Sequence, residues 1–251
     1  MPETHARDLT LILVPGLLCD ASVWPSQRAA LEDLAQIRIA DHGMLDSLPA
    51  MAHSILADAP RRFAIAGHSM GGRIALEVFR AAPERVVGMA LMDTGYHSLD
   101  AGEPGEKEAA GRYMLLQTAR AEGMRVMARL WVQNMVHASR LADVALIDAI
   151  LDMIGSKSPD LYAAQIHALL NRPDGEPLLS QIQCPTLVLC GHDDSWAPVQ
   201  RHLDIANAIA QSTFVDIPVC GHMSTLERPE AVNAAMRAWV ERVIGAQKGK
   251  G

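Results

Sequence analysis

An apolar run long enough to cross a bilayer is missing from this 251-residue chain. The run LTLILV at 9–14 follows the polar MPETHARD and is far too short to span. No basic leader with a small-residue cleavage site precedes it, so a soluble, cytoplasmic protein with no membrane partner is expected. An excess of basic charge is missing too. Twenty-two Lys and Arg face 29 Asp and Glu, a formal charge of −7. Nucleic acid or an anionic lipid surface would need a basic footprint, so neither is expected as a partner. The four cysteines, Cys19, Cys184, Cys190 and Cys220, contain no C-x-x-C pair. Neither a zinc knuckle nor a redox motif is indicated, and reduced thiols are the expectation. The chain has no internal repeat and no low-complexity tract.

What is present is enough apolar side chain, 49% of the residues, to build a substantial core. The length is ordinary for a single α/β domain. Six short runs have β-strand character: LTLILV (9–14), IRIA (37–40), RFAIAG (62–67), VVGMALMD (86–93), PTLVLCG (185–191) and TFVDIP (213–218). They are continuous rather than alternating, as strands covered by helices on both faces should be. Helical patterns lie between them, including GGRIALEVFRAAP and PEAVNAAMRAWVERVI. This alternation predicts an α/β fold with a mostly parallel, open sheet flanked by helices.

One interval breaks the alternation. Residues 99–184 contain no convincing strand, open with the linker-like LDAGEPGEKE, and continue with helical patterning. The expected organisation is therefore a core formed by 1–98 and 185–251, interrupted by a helical cap insertion at 99–184. Met124, Met127, Trp131 and Met135 recur at three- and four-residue steps, as do Val144, Ile147, Leu151 and Ile154. Such stripes either pack the insertion onto the body or line a pocket beneath it, where unbranched methionines adapt to varied apolar ligands.

The stretch IAGHSMGGRI at 65–74 sets Ser69 in a G-x-S-x-G pattern between a predicted strand and a predicted helix. That context defines a nucleophile elbow, in which the glycines are required because side chains at 67 and 71 would meet neighbouring backbone. The base is expected to be His222, beyond the last strand in TFVDIPVCGHMSTLERPE. His222 and Ser69 then both fall at the carboxyl edge of the sheet, where open α/β sheets carry their chemistry. His68 adjoins the nucleophile but is expected to point away from it. The acid that orients the imidazole is read as Asp194, in LCGHDDSWAP, with Asp193 and Asp93 as competitors. Ser195 follows that acid but has no elbow. The oxyanion donors are expected to be the backbone amides of Met70 and Leu17, with Gly16 permitting close approach.

Four motifs in this order and spacing, VPGLLCDASVW, GHSMGG, CPTLVLCGHDD and CGHMSTLERPE, resemble those of the α/β-hydrolase superfamily, in particular its small capped esterase-like members. The resemblance covers essentially the whole chain. It implies Ser69 as nucleophile, Asp194 as acid, His222 as base, and Leu17 with Met70 as oxyanion donors. Two departures stand out. Pro15 occupies a position where many relatives have histidine, and the first strand pattern corresponds to the family's third, so a sheet without the leading antiparallel strands is expected.

The activity this implies is hydrolysis of small to medium apolar carboxylic esters through an acyl-enzyme, with a small-molecule substrate and neither cofactor nor metal. Leu17, Leu18, Met70, Met127 and Trp131 are the expected apolar pocket wall. Cleavage of a C–C bond, lactone or thioester by the same triad stays open, as does a ligand receptor on a hydrolase fold. The oligomeric state is also left open.

Overall fold

Each of the six runs becomes a strand, within one residue of its expected bounds. In the computed structural model, which describes residues 8–249, these are β1 (Thr10–Val14), β2 (Gln36–Ile39), β3 (Phe63–His68), β4 (Val86–Met92), β5 (Thr186–Gly191) and β6 (Ser212–Ile217). Most of the polar MPETHARD stretch, residues 1–7, lies outside the described residues. The sheet order is β2-β1-β3-β4-β5-β6, and every pairing among the described residues is parallel. The four inner strands β1, β3, β4 and β5 are buried along their whole length. The edge strands β2 and β6 are partly exposed. Burial on both faces is what the unbroken apolar runs require, because a parallel sheet is covered by its own crossover helices.

The covering helices are α1 (Pro25–Leu31), α2 (Leu48–Asp58) and α3 (Met70–Ala81) in the first half of the chain. The second half supplies α4 (Glu103–Glu122), α5 (Met124–Trp131), α6 (Val144–Gly155), α7 (Pro159–Leu170), α8 (Glu176–Leu179), α9 (Val199–Ala208), α10 (Ser224–Glu227) and α11 (Pro229–Lys248). Helix α1 packs against α11, α2 against α3, and α9 over β5 and β6. Strand order reverses at β1, which lies between β2 and β3, so the loops after β1 and β3 diverge over a crevice. Ser69 follows β3 and Leu17 follows β1, placing both at this switch point, the position where open α/β sheets bind ligands. No helix among the described residues is long and apolar enough to cross a membrane.

Between β4 and β5 the chain inserts α4 to α7, with α4 packed on α5 and α7, and α5 on α6. The linker expected at 99–108 is shorter than the composition suggests, because α4 already begins at Glu103. Pro104 is tolerated in the first turn, where its missing N–H has no helical partner, and Glu103 and Glu106 favour the positive end of the helix dipole. The stripe Met124, Met127, Trp131 and Met135 is buried throughout. The second stripe is corrected at its start: Val144 is 71% exposed. It is the first residue of α6, and the inward face of that helix is carried by Leu146, Ile150, Leu151, Met153 and Ile154 instead.

Candidate active site

Ser69 sits between the last residue of β3 and the first of α3, with φ 55° and ψ −119°. A non-glycine residue in that region is strained, and it persists only where its surroundings over-determine it. Three contacts do so. The Ser69 N–H donates to the Met92 carbonyl (2.8 Å), the Gly72 N–H donates to the Ser69 carbonyl (3.0 Å), and the Thr94 hydroxyl donates to that same carbonyl (2.6 Å). The flanking glycines are sterically obligatory. A Cβ on Gly67 would lie 2.2 Å from the Gly71 carbonyl oxygen, and one on Gly71 would lie 2.0 Å from that of Val14.

The hydroxyl of Ser69 lies 2.8 Å from His222 Nε2, and His222 Nδ1 lies 2.7 Å from Asp194 Oδ2. The other Asp194 oxygen accepts the amides of Trp196 (2.8 Å) and Ala197 (3.0 Å), which fixes the carboxylate. Both members of the pair are buried. Burial alone would lower the His222 pKa, but the charge and hydrogen bond of Asp194 outweigh it and hold the imidazole above its ordinary value. Burial would raise Asp194, and the same pairing, with the two amides, holds it below the ordinary carboxylate value.

The loop that carries His222 is held from several sides. Its backbone amide donates to the Met135 carbonyl of the insertion (2.8 Å). The buried Glu227 accepts the amides of Gly221, Met223 and His137, the last at 2.8 Å, so one carboxylate ties this loop to the insertion. His68 points away from Ser69 and donates from Nε2 to the His222 carbonyl (2.8 Å). Burial pushes its pKa down to about 4, so it is a neutral strut.

The competing acids are elsewhere. Asp93, in a left-handed conformation at the end of β4, accepts the Gly191 amide (2.9 Å) and is hydrogen-bonded to the Ser224 hydroxyl. Burial, then the Asp194 charge, pushes it well above the carboxylate range. Asp193 faces His137 at 3.6 Å. The Ser195 hydroxyl donates to the Asn134 carbonyl (3.3 Å). His202 is buried and neutral, its Nε2 accepting the Thr94 amide (2.9 Å).

The amides of Leu17 and Met70 border Ser69, and neither donates to an acceptor among the described residues. The next amide along, that of Leu18, donates to the buried side chain of Gln165 in α7 (2.8 Å). Leu18 has a φ of 59°, so this bond fixes a strained turn beside Leu17, which lines the crevice.

A cavity of about 330 Å³ opens over Ser69 and His222, and Leu17, Met70, Trp131 and Met135 form its apolar wall. Two expected wall residues are corrected. Leu18 and Met127 are fully buried and absent from the cavity surface, because the left-handed turn points Leu18 into the body and Met127 faces the interior of the insertion. Met127→Ala should therefore cost about 2–5 kcal/mol of stability by leaving a void. Chemical denaturation checks this, and substrate preference should stay level in the same variant. The expectation of an apolar wall is also revised: Arg73, Arg112, Arg172 and Arg201 face the same cavity. Sequence reasoning misses Arg73, Arg172 and Arg201, which come from separate segments, and reads Arg112 as part of a solvated helix face. Arg73, one turn beyond Ser69 on α3, is the one a helical reading could have placed. His97, Asp174 and Glu176 bring donor atoms within 4.8 Å of one another, but all three are exposed, as solvated acidic groups often are, and the trio carries no assignment.

With this geometry in view, the comparisons agree on the class. Residues 11–235 match the model of the alpha/beta hydrolase family, and the chain belongs to that family. It is 32% identical to the 2-succinyl-6-hydroxy-2,4-cyclohexadiene-1-carboxylate synthase of Serratia proteamaculans, over 70% of this chain and 67% of that one. A thermophilic esterase from Thermogutta terrifontis, in a malate-bound structure, superposes with a TM-score of 0.81 at 29% identity, covering 94% of this chain and 91% of its own. The enol-lactonase from Burkholderia xenovorans shares the fold with the same TM-score at 23% identity, covering 95% and 94%.

Proposed function

We propose that the protein is a serine hydrolase that cleaves carboxylic esters through a covalent acyl-enzyme. The observation that carries this reading is the unbroken chain of hydrogen bonds from Ser69 through His222 to Asp194, at 2.8 and 2.7 Å. His222 Nε2 takes the Ser69 proton as the hydroxyl oxygen attacks the ester carbonyl. The amides of Leu17 and Met70 receive the developing oxyanion, and Met70 adds the positive end of the α3 dipole. His222 returns the proton to the leaving alkoxide. Water, deprotonated by the same imidazole, then breaks the acyl–Ser69 bond and releases the acid. Asp194 holds the imidazole in the tautomer that leaves Nε2 free to accept. Residues 99–184 act as a cap whose Trp131 and Met135 close the site from above. The likeness to the esterase from Thermogutta terrifontis supports ester hydrolysis.

The test is a panel of activated and unactivated esters, lactones and thioesters, read for turnover and for a pre-steady-state burst. A burst of one alcohol per site on esters supports the reading; turnover of lactones alone would replace it. The pH dependence offers a second check. The base must be neutral, so kcat/KM should fall as pH drops through the pKa of the His222–Asp194 pair. Because the pairing raises His222, that limb should lie above the ordinary histidine value of 6.5. A limb below that value would mean that Asp194 does not govern the imidazole.

A further inference from the structure

The cavity beside Ser69 carries more positive charge than it can neutralise. Four guanidiniums, Arg73, Arg112, Arg172 and Arg201, face it together with three carboxyl groups, Asp93, Asp100 and Glu108, of which Asp93 is taken up by the Gly191 amide and the Ser224 hydroxyl. Glu108 is already committed. It pairs with Arg172 through two parallel bonds (2.8 and 2.9 Å) and also accepts from Arg112 (3.0 Å). Arg172 is buried and fully used, since it also donates to the carbonyls of Leu169 and His97.

Arg73 and Arg201 differ. Among the described residues neither has a carboxylate partner. Arg73 gives one bond to the His97 carbonyl (2.6 Å), and Arg201 gives one to the Trp196 carbonyl (3.1 Å). Both guanidiniums lie beside Gly95. A Cβ there would lie 2.6 Å from Arg73 Nη2 and 3.3 Å from Arg201 Nη1, so both guanidinium ends lie against the bare Gly95 backbone. Burial, then the charges of Arg172 and Arg201, pushes the Arg73 pKa down to about 9. A negative charge set beside these two arginines would relieve that repulsion. Their position matters as much as their charge. Arg73 stands four residues after Ser69 on α3, about 6 Å along the helix axis, and both residues face the same cavity.

We infer that Arg73 and Arg201 form a carboxylate subsite, so that the ester cleaved at Ser69 is a monoester of a short dicarboxylic acid. Its free carboxylate bridges the two guanidiniums while its ester carbonyl sits against Ser69. Planar, forked donors suit a carboxylate, which accepts through two oxygens. Trp131 and Met135 then cover the few methylenes between the two ends. This rests on the ester-hydrolase reading and narrows its substrate from apolar esters to anionic ones.

The experiment compares monoethyl and diethyl esters of succinate, glutarate and adipate, with wild type and with Arg73→Gln, Arg201→Gln and the double variant. A charged hydrogen-bonded contact of this kind should favour the monoester by about 10–100-fold in kcat/KM. The double variant should bring that ratio close to one, chiefly through KM. Arg73→Lys, which keeps the charge without the fork, should restore only part of it. Circular dichroism melts of each variant confirm that the fold is retained. In parallel, calorimetry of glutarate and of inorganic phosphate binding to the Ser69→Ala protein reads the subsite without turnover. Glutarate binding that weakens with salt and is lost in the double variant supports the subsite. If that binding occurs while neither ester is turned over, the hydrolase reading fails and the subsite stands. Equal rates on monoester and diester without glutarate binding would overturn the subsite, as would phosphate binding in preference to glutarate.

Discussion

Ser69→Ala leaves the fold intact and lowers kcat by roughly 10⁴–10⁶-fold, the range seen when one member of a catalytic triad is removed. The size follows from what is lost. Without the hydroxyl there is no covalent intermediate, and His222 has no proton to take from a bound nucleophile. The residual rate is expected to come from the proposed oxyanion amides of Leu17 and Met70 and from substrate positioning, which the substitution does not touch. Folding should survive because the contacts that hold residue 69 in its strained conformation are made by its backbone: its N–H to Met92, and its carbonyl to Gly72 and Thr94. KM should change little. Steady-state kinetics beside a thermal melt check both halves of this expectation, and a variant that keeps a tenth of the wild-type rate would remove Ser69 from the mechanism.

Asp194→Asn should cost on the order of 10⁴ in kcat. An asparagine amide can donate to His222 Nδ1, which would put the ring proton on Nε2 and leave nothing there to accept from Ser69. The substitution also removes the charge that raises the imidazole. Burial, the opposing influence on His222, is unchanged, so the pH limb of the residual activity should move down relative to wild type. Asp93→Asn supplies the contrast. Burial and then the Asp194 charge raise the Asp93 pKa, and asparagine keeps the shape of the side chain at this buried position. Its partners are Gly191 and Ser224 rather than His222. Asp93→Asn and Asp193→Asn should each lose far less than Asp194→Asn. If Asp93→Asn proved the more damaging change, the orienting acid would lie at the end of β4.

Different parts of this molecule were legible in the sequence to different degrees, for physical reasons. The strands were legible because inner strands of a parallel sheet are buried on both faces and so are almost wholly apolar; β1, β3, β4 and β5 show no exposed position. The elbow was legible because its steric demands leave few residue types at 67 and 71. Side-chain direction was not. Leu18 and Leu17 are adjacent and chemically alike, and only the left-handed turn at Leu18, tied to Gln165, sends one into the body and the other to the crevice. Met127 and Trp131 lie one turn apart on the same buried stripe, yet only Trp131 reaches the cavity. The arginines were hidden for another reason. Arg73, Arg112, Arg172 and Arg201 come together only when α3, α4, the end of α7 and α9 meet around one cavity. A reading along the chain meets each as an ordinary solvated charge, and Arg112 among its acidic neighbours looks like any helix face. Glu227 is similar: within LERPE it reads as the acidic start of a helix, whereas it holds the His222 loop through three backbone amides.

Active-site labelling decides whether the Ser69 hydroxyl oxygen is the nucleophile that becomes acylated. The protein is incubated with a small alkyl phosphonate that mimics the tetrahedral intermediate, and its intact mass and peptide map are read by mass spectrometry. One equivalent of label is expected on the peptide containing Ser69, formed with loss of activity, absent from Ser69→Ala and strongly slowed in Asp194→Asn. Label on Ser195, or full ester turnover in a protein that takes up no label at Ser69, would contradict it.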